Sequence, residues 1–462
     1  LASLVAHPAL SAEPLLVGAA QVDITPPVGF RTGGGYGEVI STGVEDPLLA
    51  KALVLQQGDC SAAIVISDLL SVPPDLSRRA RDEVSKKTGV PVDHVVVAAT
   101  HNHGSPEYWG SLRDIAHQAA KEAHGHDPHE MIDYQGKLVD AWITAIVTAF
   151  DTRQPATIEI VVARQPGLAF NRRFHMKDGS VRFNPGAGNP NIVRPAGPVD
   201  TELPVLLFRQ ADQGRSPIAT MTTFAMHTAV HGGTTFSGDF PAVLQTRLQE
   251  TLGENVISLF AEGTAGDINH IDVTRRNQLR GRSEVVRIGE TLFATISTWL
   301  GNTQSLQSPD LAVVSKTALA PFKPVSPLRY REAMHQLREQ QSLGLPFLTL
   351  VAAWRDCHRY RYSQLYDGKK PLEVQAIRLD VDTALVFLPH EVFVEIGMAI
   401  KETSPFPNTI VISLANDIDY YIPTQRAFEE GSYEVTTCPL DPGCGEILLD
   451  AARAALLAVR PQ

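Results

Sequence analysis

Cysteine is scarce in this chain, with four in 462 residues. That is too few to staple a fold of this size, so a hydrophobic core must hold it together. Long apolar runs are missing too. No stretch approaches the roughly 18 residues that a membrane-spanning helix needs, so the sequence reads as that of a soluble protein without a transmembrane segment. There is no basic excess of the kind that nucleic acid or an anionic membrane selects: the formal net charge is −11, which argues against a nucleic-acid partner. Internal repeats and low-complexity linkers are absent as well. What is present is 44% hydrophobic and 20% charged residues, enough for a large core. One large domain is therefore expected rather than two.

The chain begins with Leu, and LASLVAHPALSAEP (1–14) has an apolar centre followed by small residues. That is the pattern of a signal-peptide remnant, and a weakly structured N-terminus is the other reading. The first reading places the protein outside the cytoplasm, secreted or periplasmic. Cys438 and Cys444 flank the turn-rich PLDPG, so a local disulfide is expected in an oxidising compartment, with Cys60 and Cys357 unpaired and buried.

Short β-branched apolar segments alternate with helical patterns. The strand segments are 62–67, 94–99, 157–163, 218–226, 256–261, 383–389 and 409–415, and the helical ones are 74–89, 134–150, 240–253, 283–300 and 446–459. This alternation predicts an α/β fold of mixed β-sheets flanked by helices, in a single domain over 15–462. The basic, aromatic stretch 322–370 reads as a helical insertion.

The strand segments end in polar clusters. AAIVIS runs into Asp68, HVVVAAT into His101 and His103, and TTFAM into His227 and His231. VISLFA leads to Glu262 and GTAGD, TALVFLP to His390-Glu391, and VISLA to Asn416-Asp417 with Tyr420-Tyr421. Ligands of open α/β sheets bind outside the carboxyl ends of the strands, so a site is expected there. Residues i and i+2 of an extended segment point the same way. His101 and His103 could thus face one site together, as metal ligands or as a hydrogen-bonded loop pair.

In order along the chain, these residues resemble the neutral/alkaline ceramidase family of zinc-dependent amidases. VGAAQVDITPPVG (17–29) with GGGYG (33–37) is similar to the family's opening, and ATHNHGSP (99–106) to its A-T-H-T-H-S-G-P. Asn171-Arg172, Asn184-Pro185 and VDTELPVLLF (199–208) resemble its N-R, N-P and V-D blocks. TFAMHTAVHGG (223–233), EGTAGDIN (262–269), FLPHEVFVEIG (387–397) and NDIDYYIPTQRAFEEGSYE (416–434) follow in the same order.

The resemblance implies a Zn²⁺ site formed by His101, His227, Glu391 and Tyr421 at the C-terminal ends of strands. It also implies that His103, Arg172 and Tyr433 act on the substrate amide. Asp267 is expected to orient a ligand histidine or a loop, or else to be a turn residue. The implied reaction is hydrolysis of the N-acyl amide of a ceramide-like lipid. The alternative is the same zinc site acting on another amide, an ester or a glycoside; a non-catalytic binding protein on the same fold is a third reading.

The departures are specific. Asn269 stands where the family has serine and His390 where it has glycine, and the family's H-S-G-P-G-G block is reduced to His103-Gly104-Ser105-Pro106-Glu107. A His-rich segment with His117, His124, His126 and His129 then follows, read as a lid or as a solvated helix and loop.

Overall fold

A computed structural model describes residues 13–212 and 214–461. Most of the expected leader segment, residues 1–12, lies outside the described residues. The first sheet contains β1 (Leu16–Asp23), β2 (Leu49–Gln57), β3 (Cys60–Ser67), β4 (Val95–Ala99), β5 (Gln154–Arg164), β6 (Glu202–Gln210), β7 (Pro217–Phe224) and β8 (Ile257–Glu262), in the order β8-β7-β6-β5-β1-β2-β3-β4. Most neighbours are antiparallel, but β3 with β4 and β7 with β8 are parallel. A second sheet runs β9 (Ala312–Pro321), β10 (Lys369–Arg378), β11 (Thr383–Phe387) and β12 (Asn408–Ile412), and there β11 and β12 are the parallel pair. This is the mixed α/β architecture expected from the sequence.

The sheets pack face to face, and helices cover their outer faces. Alternation along a strand decides which layer each side chain enters. Val95, Val97 and Ala99 of β4 join a core with Leu76, Ala80, Trp142 and Ala145, from α1 (Pro74–Thr88) and α3 (Tyr134–Asp151). Val96 and Ala98 point the other way, into an inter-sheet core with Leu385, Phe387, Ile410 and Ile412. Both faces are thus buried, which is why these strands read as unbroken apolar runs. Further helices, α4 (Asp239–Leu252) and α5 (Arg282–Ser297), back β5–β8, while α6 (Val394–Thr403) and α7 (Cys444–Ala458) back the second sheet.

Residues 322–370 hold the helices Pro327–Arg338, Gln340–Leu343 and Phe347–Leu365. The His-rich segment is α2 (Ser111–His124) and its following loop, and its Leu112 and Ile115 pack on Ala333, Leu337, Ala353 and Cys357. All four cysteines are free thiols, which corrects the expected Cys438–Cys444 disulfide. Both thiols are buried instead in the core under α7, where a hydrogen bond to Cys438, together with burial, raises the Cys444 thiol well above its usual range. Cys60 is only half-buried.

Candidate active site

The three parallel strand pairs point their C-terminal ends at one place. His101 follows β4, His227 follows β7, Glu391 follows β11 and Tyr421 follows β12. Backbone bonds fasten the two sheets together there: Asn416 N donates to Val97 O (2.7 Å), Ser413 N to Glu262 O (3.0 Å) and Ala99 N to Leu414 O (3.2 Å). Glu391 and Tyr421 are direct neighbours in a short parallel bridge.

The expectation that His101 and His103 sit on an extended segment is corrected. β4 ends at Ala99, and His101 has a left-handed φ of 57°. Their rings still converge, with centroids 5.0 Å apart and His227 4.6 Å from His101. A left-handed turn does what strand alternation was expected to do. His390 (φ 62°), Leu414 (φ 64°) and Asn416 (φ 65°) share this conformation at the same strand ends, each at a cost of about 1–3 kcal/mol. Such strain persists only where the surroundings over-determine it.

The histidines are held in one tautomeric sense. Nδ1 of His101 bonds Leu70 O (2.9 Å), Nδ1 of His227 bonds Ala265 O (3.0 Å) and Nδ1 of His103 bonds Gly34 O (3.1 Å). A carbonyl can only accept, so each Nδ1 carries a proton, and in the neutral ring each Nε2 presents a lone pair. Without a metal, although burial opposes it, Glu391 raises His101 to about 9, so a proton takes the place of the cation there. Glycine is required at 34: a Cβ there would stand 2.5 Å from His103 Nδ1.

Glu391 Oε2 lies 3.1 Å from His101 Nε2 and 3.2 Å from His227 Nε2. His103 Nε2 and Glu391 Oε2 are buried without a hydrogen-bond partner among the described residues. Lone pairs this close around a carboxylate repel one another unless a cation stands between them. A divalent metal with nitrogen and oxygen ligands fits this donor set, and zinc is the metal such imidazole and carboxylate ligands commonly hold.

Arg172 is buried beside the cluster. Its guanidinium donates to Glu434 Oε1 (2.9 Å) and Gly266 O (2.8 Å), and its Nη1 reaches His227 Nε2 at 3.3 Å. It also covers the rings of Tyr421 (5.1 Å) and Tyr433 (5.9 Å). The Tyr421 hydroxyl is within hydrogen-bonding reach of Arg172 and Tyr433, and Tyr433 in turn of Tyr36.

Asp267 does not touch a histidine. Its carboxylate accepts from Val394 N (2.9 Å) and Asn171 Nδ2 (2.7 Å), while its carbonyl accepts from Arg172 N (2.9 Å). It therefore ties the Arg172 strand to the start of α6, just past Glu391. Burial pushes its carboxyl up to about 6.

Two residues had been given no role. Glu262, at the end of β8, is buried, and its carboxylate lies 3.3 Å from both Thr228 N and Thr228 Oγ1. Tyr36 walls the cleft, and its only signal was the GGGYG block.

The cleft has two lobes that share Gly34, Tyr36, His103, Tyr421 and Tyr433. One, of about 130 Å³, runs past Trp109 and Trp354 to Glu107 and Asp419. The other, of about 260 Å³, lies against Arg172, Phe183 and Phe347. A second metal-competent group, His117 with Asp127 and Glu130, is already closed by cations. Arg31 holds Asp127 at 2.6 Å, and Arg113 holds Glu130.

Burial, aided by Asp419, pushes the Glu107 carboxyl up to about 8. The folded state therefore binds this proton more tightly than the unfolded chain does. Stability should fall as pH rises from about 4.5 through 8 and level off above it. Glu107→Gln removes that ionisation, so the variant's Tm advantage over wild type should grow between pH 5 and pH 8.5. A constant difference across that window would refute the assignment.

No family model matches the chain, and no curated protein does either. Solved structures do. Neutral ceramidase from Pseudomonas aeruginosa superposes with a TM-score of 0.71 at 17% identity, over 97% of this chain and 76% of that one. The fold is that of neutral ceramidase. A ceramidase complexed with C2 gives a TM-score of 0.69 at 16% identity, with the same coverage of each chain. The fold expected from the ordered motifs is thus the fold found, at an identity low enough that local chemistry must be argued from this chain's own residues. Among the described residues, no helix of the ceramidase-like fold is long and apolar enough to cross a membrane.

Proposed function

We propose that this chain is a zinc-dependent amidohydrolase that cleaves the N-acyl amide bond of ceramide-like lipids. The observation that carries this reading is the approach of His101 and His227, each tied through Nδ1 to a carbonyl, to Glu391 Oε2 at 3.1 and 3.2 Å, with the buried His103 Nε2 grouped beside them. His101, His227, Glu391 and Tyr421 would hold the zinc. Bound there, zinc would supply Lewis acidity toward the scissile carbonyl and make a water acidic enough to lose its proton near neutral pH.

The remaining roles belong to the chain. Burial, with His101 and His227 alongside, keeps the His103 pKa well below its usual value, so this imidazole is a neutral base. It takes the proton of the attacking water and returns one to the leaving amine nitrogen. Arg172 and the Tyr433 hydroxyl stabilise the charge that develops on the carbonyl oxygen. Asp267 positions the loop that carries Arg172. Residues 15–462 act as one catalytic domain, in which the 322–370 insertion supplies Trp354 and Phe347 to the walls of the two lobes.

One observation favours the alternative substrate. The lobe between Trp109 and Trp354 has only about 130 Å³, against the ~300–1,000 Å³ usual for ligand cavities, and it ends on Glu107 and Asp419. A compact polar arm suits it better than a long hydrocarbon chain.

The test is hydrolysis of a fluorescent short-chain ceramide by purified protein, before and after chelation. Turnover should fall at least about a hundredfold with chelator and return with added zinc. Hydrolysis indifferent to the chelator would overturn the metal reading. No turnover by zinc-loaded protein would move the substrate to the alternative class.

A further inference from the structure

Beyond the cleft lies a cavity of about 440 Å³ that opens from its second lobe, sharing Asn184, Ala229, His270 and Ile271 with it. Its lining is unlike the rest of the molecule. Arg275, Arg276 and Arg280 face it together with His231 and His270, and it contains no aspartate or glutamate, although the chain as a whole carries a net charge of −11.

These arginines stand apart from their neighbours. Arg282 is paired with Asp46 at 2.7 Å and Arg287 with Glu284 at 2.6 Å, whereas among the described residues Arg275, Arg276 and Arg280 have no carboxylate partner. Arg276 is laid against the 184–190 loop, where a Cβ on Gly188 would stand 2.4 Å from its Nε.

Two further features point to an anion. The 16-residue α5 begins at the cavity, behind Gly281, and no side chain caps it, so its free N–H groups and the positive end of its dipole are turned there. His270, which lines both the cavity and the cleft, has an Nδ1 without a partner among the described residues. The nearest acids are engaged elsewhere: Glu284, whose charge reaches His270, is paired with Arg287 at 2.6 Å, and Asp239 accepts from Val230 N and His231 N. Glu45 lies 3.7 Å from His231 Nδ1 and 3.8 Å from Arg282, and Asp272 is taken by Thr274.

We propose that this cavity seats a tetrahedral oxyanion, a phosphate or sulfate monoester, carried by one arm of the substrate whose amide lies at the histidine cluster. Guanidinium forks match such groups bidentately, and the shared lining lets one molecule span both places. The inference rests on the amidohydrolase reading and narrows its substrate to anionic amides.

The test compares a fluorescent short-chain ceramide with the same molecule phosphorylated on its primary hydroxyl, as substrates of zinc-loaded wild type and of an Arg275→Gln/Arg276→Gln/Arg280→Gln variant. Wild type should favour the phosphorylated amide in kcat/KM by at least about tenfold, and the variant should lose that preference. Equal rates in wild type would overturn the proposal.

A second arm does not need turnover. Inorganic phosphate is titrated calorimetrically into zinc-loaded wild type and variant; phosphate held at the histidine cluster is common to both, so the difference reports the cavity. Binding should be present in wild type and lost in the variant, and identical titrations would overturn the seat itself. If neither amide is hydrolysed, the amidase reading fails while this arm still decides the seat. Phosphate binding without any preference for the phosphorylated amide would mark a free-ion site and refute the substrate assignment.

Discussion

Glu391→Ala is expected to lower kcat/KM by at least about a thousandfold, equivalent to roughly 4 kcal/mol of lost transition-state stabilisation, and to empty the site of zinc. Among the described residues, Glu391 is the only carboxylate within 3.2 Å of two Nε2 atoms of the cluster. Without it, three imidazoles face one another with no anion to offset a bound dication. The imidazoles themselves should stay in place, because their Nδ1 anchors are backbone carbonyls of other segments. Loss of folding can therefore be separated from loss of metal. Added zinc should raise the Tm of the metal-free wild type by mass action, and it should leave the Tm of the variant unmoved. A Glu391→Ala protein that keeps its activity would show that the metal, or the chemistry, lies elsewhere.

Arg172→Met should cost both rate and stability. On rate, removing a donor aimed at developing negative charge typically lowers kcat by about 10²–10³, with a smaller effect on KM. On stability, Glu434 is fully buried and keeps only Arg173, at 3.2 Å, once Arg172 is gone. Breaking a buried pair costs about 3–5 kcal/mol, and the surviving Arg173 contact places this case at the low end. Arg172→Lys separates the two effects. It retains the charge against Glu434 but not the fork that also reaches Gly266 O, so it should recover much of the Tm and little of the kcat. Parallel recovery of both would make Arg172 a purely structural residue.

The β-strands that read most clearly in the sequence are those buried on both faces. Ala62–Ile66 and Val95–Ala99 divide their side chains between two cores, so every position is apolar. β9 went unread for the opposite reason: it is half-exposed along its length, and only Ala320 is fully buried. The pairing of β9 with β10 and the face-to-face packing of the two sheets depend on contacts distant in sequence, which periodicity cannot carry.

At the site, strand-end position put His101, His103, His227 and Glu391 in a longer set with residues such as Asp68 and His231, and it was the family resemblance that separated them. The left-handed backbone at His101 and His390 was not legible, because nothing local demands a positive φ from histidine; the strand ends of two sheets impose it. Asp267 could be placed near the cluster, but its partners Val394 N and Asn171 lie on segments far away in sequence. The run TRRNQLRGR (274–282) carried no expectation, and that three of its exposed arginines line one cavity next to the cleft comes from the fold.

The most direct measurement is the zinc content of metal-free protein reloaded with the ion and dialysed, for wild type and Glu391→Ala side by side. The account predicts about one zinc per chain in wild type and essentially none in the variant. Wild type that retains no zinc, or equal zinc in both proteins, would contradict it.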